Sequence, residues 1–239
     1  MPQGQDLITL DARPEPVRID RARSAILVVD MQNDFGAKGG MFHSAGIDIA
    51  PIQRVVEPTA RVLDAARAAG LPVVYLVMQY RPDLSDAGAP DGPNRIKHAP
   101  LGLGAAVPAP DGGAGRILVE GTWNTAILPR LAPQPGDLVV PKQRYSGFFG
   151  TNLDSILRAR GIRDLVVTGC TTSVCVDSTV RDAMVRDYRC VVLEDCTAEP
   201  IGADLPRGNH AATLLTIQLL FGWISDSGRL LDALRAPGG

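Results

Sequence analysis

Three residues of this chain combine a reactive side chain with a position at the end of an apolar run. Asp30 closes the run 25–29 (AILVV), Lys142 follows 137–140 (DLVV) and Pro141, and Cys175 stands just beyond 165–168 (LVVT) and Gly169–Cys170. An acid, an amine and a thiol are the ingredients of nucleophilic catalysis. An ordinary thiol has a pKa near ~8.5 and is mostly protonated at neutral pH. A helix N-terminus and a nearby ammonium would both favour its thiolate, while a carboxylate could take the thiol proton and return it to a departing nitrogen. Taken singly, each residue has an ordinary explanation: Asp30 as a strand-end cap, Lys142 as a solvated charge, Cys175 as a small buried apolar group.

Whether the three can meet depends on the elements that carry them. Short β-branched runs recur at 25–29, 72–77, 137–140, 165–168 and 190–193, each stopping at a polar or glycine residue. Such continuous apolar runs fit parallel strands covered on both faces. Helical patterns alternate with them at 52–70, 151–160, 176–187 and 210–222. This rhythm predicts an α/β fold, a doubly wound, mostly parallel sheet with helices on both faces. Parallel strands put all their carboxyl ends on one edge, where open α/β sheets collect ligands. Asp30, Lys142 and Cys175 are therefore expected on the same edge, although far apart in sequence. Residues 1–23 read as a polar N-terminal extension and 24–239 as a single domain, interrupted at 81–115 by a Pro-, Gly-, Ala- and Asp-rich excursion without periodicity. That excursion reads either as a lid over the site or as a solvated loop.

Composition narrows the function classes. Net charge is -2 over 239 residues, and no basic stripe is present, which argues against nucleic acid or an anionic membrane as partner. No apolar stretch reaches the ~18–20 residues of a membrane span, and the N-terminus lacks the apolar core of a signal peptide, so the cytoplasm is the expected compartment. Cys170, Cys175, Cys190 and Cys196 follow no zinc or redox spacing and are expected as reduced thiols. The first βα turn lacks G-x-G-x-x-G and no Walker sequence occurs, which weakens a nucleotide-binding module as the alternative.

The motifs ILVVDMQNDF (26–35), VVPKQRYSGFFGT (139–151) and VVTGCTTSVCVDST (166–179) occur in order and together resemble the isochorismatase-like cysteine hydrolases over most of the chain. The resemblance implies that Asp30, Lys142 and Cys175 form a catalytic triad. It also implies a cis peptide at Cys170–Thr171, with the amides of Thr171 and Cys175 as an oxyanion hole, the electrostatic element acyl transfer needs. Nicotinamidases of this family carry an Asp-x-His metal motif after the second strand. Here that strand leads into MQYRPDLSD (78–86) without a histidine, and His43, His98 and His210 are scattered, so neither a catalytic metal nor a cofactor is expected. Vinyl-ether hydrolases of the isochorismate-cleaving type lack the nucleophilic cysteine and are a more distant reading.

Within the family the chain is most similar to the carbamoyl and ureide branch. The stretch 134–169 resembles ureidoacrylate amidohydrolases, whereas DFGAKGG (34–40), RPDLSD (81–86) and Gln218 on the last predicted helix resemble biuret and triuret hydrolases. A neutral amide at Gln218 would suit the end of a neutral linear ureide, and a carboxylate-bearing ureide would need a cation, for which Arg81, Arg95 and Lys97 are available. The expected substrate is a neutral ureide, with an anionic ureide or N-carbamoyl compound as the alternative. Phe35 and Tyr145 are expected either to wall the pocket or to pack. The resemblance further implies a homodimer or homotetramer, with the apolar segment 211–224 as a candidate contact.

Overall fold

A computed structural model describes residues 6–110 and 112–236. The first five residues of the N-terminal extension, Asp111 in the excursion and the last three residues of the domain lie outside them. Two short antiparallel strands, β1 (Leu7–Leu10) and β2 (Val17–Asp20), precede β3 (Ser24–Val29). Helices α1 (Asn33–Gly36), α2 (Met41–Ser44), α3 (Ala50–Arg54) and α4 (Val56–Ala68) lead to β4 (Val73–Met78). The excursion carries α5 (Pro93–His98) and the antiparallel pair β5 (Ala106–Pro108) and β6 (Ala114–Arg116). Alternation then resumes with β7 (Leu138–Lys142), α6 (Leu153–Ala159), β8 (Asp164–Cys170), α7 (Asp177–Met184), β9 (Arg189–Ala198), α8 (Asn209–Leu220), β10 (Trp223–Ser225) and α9 (Ser227–Arg235).

The main sheet has the order β10-β9-β8-β3-β4-β7, and every neighbouring pair is parallel. The chain moves outward from β3 to β4 and β7, then returns to the other side of β3 for β8, β9 and β10. The strand order thus reverses between β3 and β8, the kind of switch point at which open sheets bind ligands. The strand runs are buried on both faces because both are covered. Ile26 and Val28 of β3 join an apolar cluster with Val62 and Leu63 of α4 and Leu230 of α9. Ala25, Leu27 and Val29 join the opposite one, with Leu157, Val180 and Ile217 from α6, α7 and α8.

The N-terminal extension is part of this architecture. Ile8, Leu10, Val17 and Ile19 are buried in the first cluster, and Arg13 exchanges two backbone hydrogen bonds with Ile224 of the edge strand β10. The predicted helix 52–70 divides into α3 and α4 at Val55. Among the described residues no helix is long and apolar enough to cross a membrane.

One glycine decides how closely β3 and β8 meet at the switch point. Gly169 has φ +113°, and a Cβ placed on it would stand 2.1 Å from the Val29 carbonyl oxygen. The pairing of β8 with β9 shifts register between Val167 and Gly169. Only a residue without a side chain lets β8 deliver Cys170 against the end of β3 here, where the Cys170 thiol donates to the Asp30 carbonyl at 3.2 Å.

Candidate active site

Asp30 follows β3 and is the first residue past the sheet. Its N–H still bonds to Leu76 on β4, its φ is +52°, and its carbonyl accepts from Gln32 N–H at 2.8 Å. Aspartate is among the few non-glycine residues that adopt this left-handed conformation readily, and here it marks the turn out of the sheet. Gln32 secures that turn: its Nε2 donates to the Met78 and Thr125 carbonyls and its Oε1 accepts from Met78 N–H at 2.8 Å.

Lys142 ends β7 opposite Met78 and lies two strands from Asp30. Its side chain crosses the end of β4, with Nζ 3.7 Å from Met78 Sδ, and reaches Asp30 Oδ2 at 2.8 Å. Both side chains of this ion pair are fully buried. Nζ also donates to the Arg144 carbonyl at 3.2 Å. Cys175 lies in a single π turn, Thr172–Val176, which opens α7, and its thiol is within hydrogen-bonding reach of both Asp30 and Lys142. The three residues reached from strand-end reasoning thus form one contiguous buried cluster. The Cys170–Thr171 peptide that leads into the turn is cis.

The nucleophile turn is braced from two sides. Ser173 donates through N–H and Oγ to Glu199 Oε2 at 2.8 and 2.5 Å, and Thr172 Oγ1 pairs with His210 Nδ1 at 2.9 Å. The Thr179 hydroxyl donates to the Cys175 carbonyl at 2.6 Å and accepts from Gly147 N–H at 3.0 Å, joining α7 to the loop after Lys142.

Burial sets the protonation states. It pushes the Asp30 carboxyl upward, opposed by the Lys142 ammonium and a Cys175 hydrogen bond. On Lys142 burial acts to lower the pKa, but Asp30 and Cys175 together outweigh it and the value rises. The ammonium therefore stays charged, and the carboxylate facing it is more basic than an exposed aspartate. For Cys175, burial and then the Asp30 charge raise the thiol well above its ordinary value, and Lys142 only partly offsets them. This corrects the expectation that Lys142 and the helix N-terminus hold a thiolate. The resting pair is a neutral thiol beside a carboxylate, which is a nucleophile with its base in place.

The excursion supplies the mouth of the site. A cleft of about 460 Å³ is lined by Pro93, Asn94 and Lys97 of α5 together with Arg144 and Tyr145 of the loop after β7. Tyr145 feels the charges of both Cys175 and Lys142, which puts it between the cleft and the buried cluster. The Asp34 carboxylate accepts from Met41 N–H, Leu118 N–H and Asn124 Nδ2 at 2.6–2.9 Å, tying the segment after the excursion back to α1. Within the excursion, residues between 87 and 97 line the cleft, while many of the other described residues are exposed.

Phe35 and Gln218 do not line this cleft. Phe35 belongs to the apolar core, edge-on to Phe42 with ring centroids 5.1 Å apart, and does not line the cleft. Gln218 lies eight residues beyond His210 on α8, about 12 Å at the ordinary helical rise. There it borders Tyr188, Arg189 and Trp223, at the amino ends of β9 and β10. Gln218 also borders a second cleft with Glu194, Asp195 and His210, the histidine that pairs with Thr172 of the nucleophile turn. Conversely, His98 was expected as a surface or packing residue. It is 5% exposed, between Tyr80 and Tyr145, and close enough to Lys142, Arg144 and Asp30 to feel their charges. No periodicity in 81–115 pointed to it. Among the described residues no group of three or more His, Cys, Asp or Glu side chains could hold a metal ion.

A parallel sheet with a buried thiol–carboxylate–ammonium cluster at its switch point defines an α/β hydrolase of the cysteine type. The family model described as the isochorismatase domain matches residues 24–228, and the chain belongs to that family. Among curated proteins it is 46% identical to ureidoacrylate amidohydrolase RutB of Methylorubrum extorquens, over 95% of this chain and 89% of that one. It is 44% identical to the protein of the same name from Rhizobium rhizogenes, over 91% and 86%. Among solved structures, a cysteine hydrolase from Pseudomonas syringae superposes with a TM-score of 0.75 at 28% identity, covering 98% of both chains. N-carbamoylsarcosine amidase from Thermoplasma acidophilum superposes with a TM-score of 0.62 at 31% identity, over 86% of this chain and 96% of the other. The protein is an amidohydrolase of this family, an enzyme that cleaves carbon–nitrogen bonds by adding water.

Proposed function

We propose that the substrate is a carboxylate-bearing ureide of the ureidoacrylate kind, cleaved at the ureido carbonyl with Cys175 as nucleophile, Asp30 as acid–base and Lys142 as electrostatic partner. The observation that carries this reading is the cleft beside Tyr145, the residue that feels the charges of Cys175 and Lys142. Lys97 and Arg144 line it, and neither is paired with a carboxylate among the described residues. Among the described residues the Arg144 guanidinium donates only to the Asp86 and Gln143 carbonyls. An anion at the mouth would meet two available cations while its ureido end reaches the thiol. The neutral-ureide expectation leaned on Gln218, which does not line this cleft. The names of the 44–46% identical relatives point the same way.

In the proposed reaction Asp30 takes the thiol proton as Sγ adds to the ureido carbon, and the oxyanion is held by the amides of Thr171 and Cys175. The C–N bond to the acrylate-bearing nitrogen then breaks, and Asp30 returns its proton to that nitrogen. An S-carbamoyl enzyme remains. Asp30 next removes a proton from water, the hydroxide adds to the carbamoyl carbon, and Sγ leaves and regains the proton from Asp30. The carbamate released sheds CO₂ and leaves ammonia. Lys142 keeps its charge throughout and steadies the carboxylate each time Asp30 gives up its proton.

Ammonia release from ureidoacrylate, an N-carbamoyl amino acid, biuret, triuret and nicotinamide, with and without EDTA, tests this. Turnover of ureidoacrylate, insensitive to EDTA and well above that of biuret, is the expected result. Efficient turnover of biuret or triuret with none of the anionic ureide would overturn the substrate assignment.

A further inference from the structure

The excursion delivers one polar ring into the site that the proposed reaction does not use. His98 ends α5, and its Nδ1 lies 2.7 Å from the Asn94 carbonyl, a pure acceptor, so Nδ1 carries the proton. The ring is held on both faces. Its centroid lies 6.0 Å from that of Tyr80 and 5.7 Å from that of Tyr145. Asn94 is fixed in turn, with Nδ2 donating to the Tyr80 hydroxyl and the Ala87 carbonyl at 2.9 and 3.0 Å. Tyr80 OH donates to the Gln143 carbonyl at 3.2 Å. Position and tautomer are thus set before any ligand arrives. Burial, with Lys142 and Arg144 as neighbouring cations, also lowers the His98 pKa, so the ring stays neutral. Its second nitrogen, Nε2, is then an acceptor, and it has no hydrogen-bond partner among the described residues.

A ureido group has an N–H donor on each side of its carbonyl; Lys142 and the backbone amides only donate, and the one acceptor of the triad, the Asp30 carboxylate, is engaged by Lys142 and the thiol. We propose that His98 is a specificity-determining residue whose Nε2 accepts a hydrogen bond from the terminal NH₂ of a ureido substrate. The inference rests on the ureide reading above. It adds that this chain distinguishes a carbamoyl group from an acyl group of the same shape, because an acyl methyl would leave Nε2 buried without a donor. Sites built to hydrogen-bond a substrate group reject analogues that lack it more strongly than apolar pockets reject size differences.

The test compares ureidoacrylate with its acetamido isostere, in which a methyl replaces the NH₂, on the wild type and on His98→Ala and His98→Gln. Gln can offer an oxygen close to the position of Nε2 while keeping a polar side chain. The wild type is expected to prefer the ureide. His98→Ala is expected to lower kcat/KM for the ureide about 10–100-fold, the effect of one lost hydrogen bond with a stranded polar partner, and to leave the isostere nearly unchanged. His98→Gln is expected to recover most of the preference. An equal loss on both substrates, or a preference that survives His98→Ala, would overturn the role of His98 while leaving the ureide reading intact. A wild type inert towards ureidoacrylate would overturn the ureide reading, and this role with it. Should His98→Ala not fold, His98→Phe, which keeps a ring between Tyr80 and Tyr145 but offers no acceptor, takes its place: a preference that survives in it with a normal melting curve overturns the proposal.

Discussion

Replacing Lys142 with methionine removes one half of a fully buried ion pair while nearly keeping its volume. The partners are 2.8 Å apart and neither is exposed, so the variant leaves Asp30 as a lone carboxylate among apolar groups. Breaking such a pair from one side costs about 3–5 kcal/mol. At about 2–4 °C per kcal/mol for a chain of this length, Tm should fall by about 6–20 °C. Asp30→Asn is expected to cost a similar amount by stranding the ammonium, and asparagine tolerates the left-handed backbone at this position. The double variant leaves no buried charge. It should therefore be more stable than the two single losses add up to, with a coupling of about 2 kcal/mol or more, yet remain inactive. The deficit of Lys142→Met should also shrink as pH is lowered. Burial raises the Asp30 pKa above its ordinary value, and loss of Lys142, the main opposing influence, raises it further. A carboxyl with a raised folded-state pKa binds protons more tightly when folded, so acidification favours the folded variant. Urea denaturation of the four proteins at two pH values measures both effects. Single losses additive to within about 0.5 kcal/mol would show that the two groups are not coupled and refute the reasoning.

Other consequences follow from the same geometry. Cys175→Ala should fold with little loss of stability and show no turnover; near-native activity would exclude Cys175 as nucleophile. Alkylation of Cys175 by iodoacetamide should accelerate only above the ordinary thiol range of about 8.5, because burial and Asp30 both raise its pKa; a rate already at plateau below pH 7 would mean a resting thiolate. Gly169→Ala should cost about 3 kcal/mol or more, since its Cβ would meet the Val29 carbonyl at 2.1 Å and φ is +113°; a melting temperature like that of the wild type would contradict that reading of the switch point. Arg144→Ala should raise KM for an anionic ureide about 10–100-fold, as for a lost charge-assisted hydrogen bond, and barely alter that for biuret; equal effects on both would remove Arg144 from carboxylate binding.

What could be read in advance divides along a physical line. Strands β3, β4, β8 and β9 were legible because each is largely buried on both faces, which writes an unbroken apolar run into the sequence, while β7, half-exposed at the sheet edge, was legible from its short Leu-Val-Val run. Their parallel order put three strand ends on one edge, and Asp30, Lys142 and Cys175 do meet there. β10 is a three-residue edge strand, too short to leave a pattern. The hairpin β1–β2 escaped notice for a different reason: its buried Ile8, Leu10, Val17 and Ile19 are diluted by Pro14 and Pro16 and by charged neighbours. The excursion was illegible as structure because side-chain anchors hold it more than a repeating pattern does. Asn94 bonds within the excursion to Ala87 and back to Tyr80, and Tyr80 reaches Gln143 beyond it; single polar residues have no period to detect.

The protonation state of Cys175 turned on magnitudes that residue types do not reveal. Lysine and a helix N-terminus both favour a thiolate, but the helix contribution is about 0.3–1 kcal/mol, and Lys142 is already engaged by Asp30 at 2.8 Å. Burial of the thiol and the adjacent carboxylate act against them, and these win. The cluster therefore has a chemical logic different from that of a thiolate–cation pair. Its charge is already neutralised at rest, so attack need not separate charge in an apolar site. The proton has only to move from sulfur to an adjacent carboxylate that burial has made more basic than an exposed one. Lys142 then matters less as an activator of sulfur than as the group that keeps Asp30 ionised in a place where, alone, it would hold its proton and could accept none. That is why Lys142→Met is expected to abolish turnover even though the thiol, the turn and the cleft remain in place.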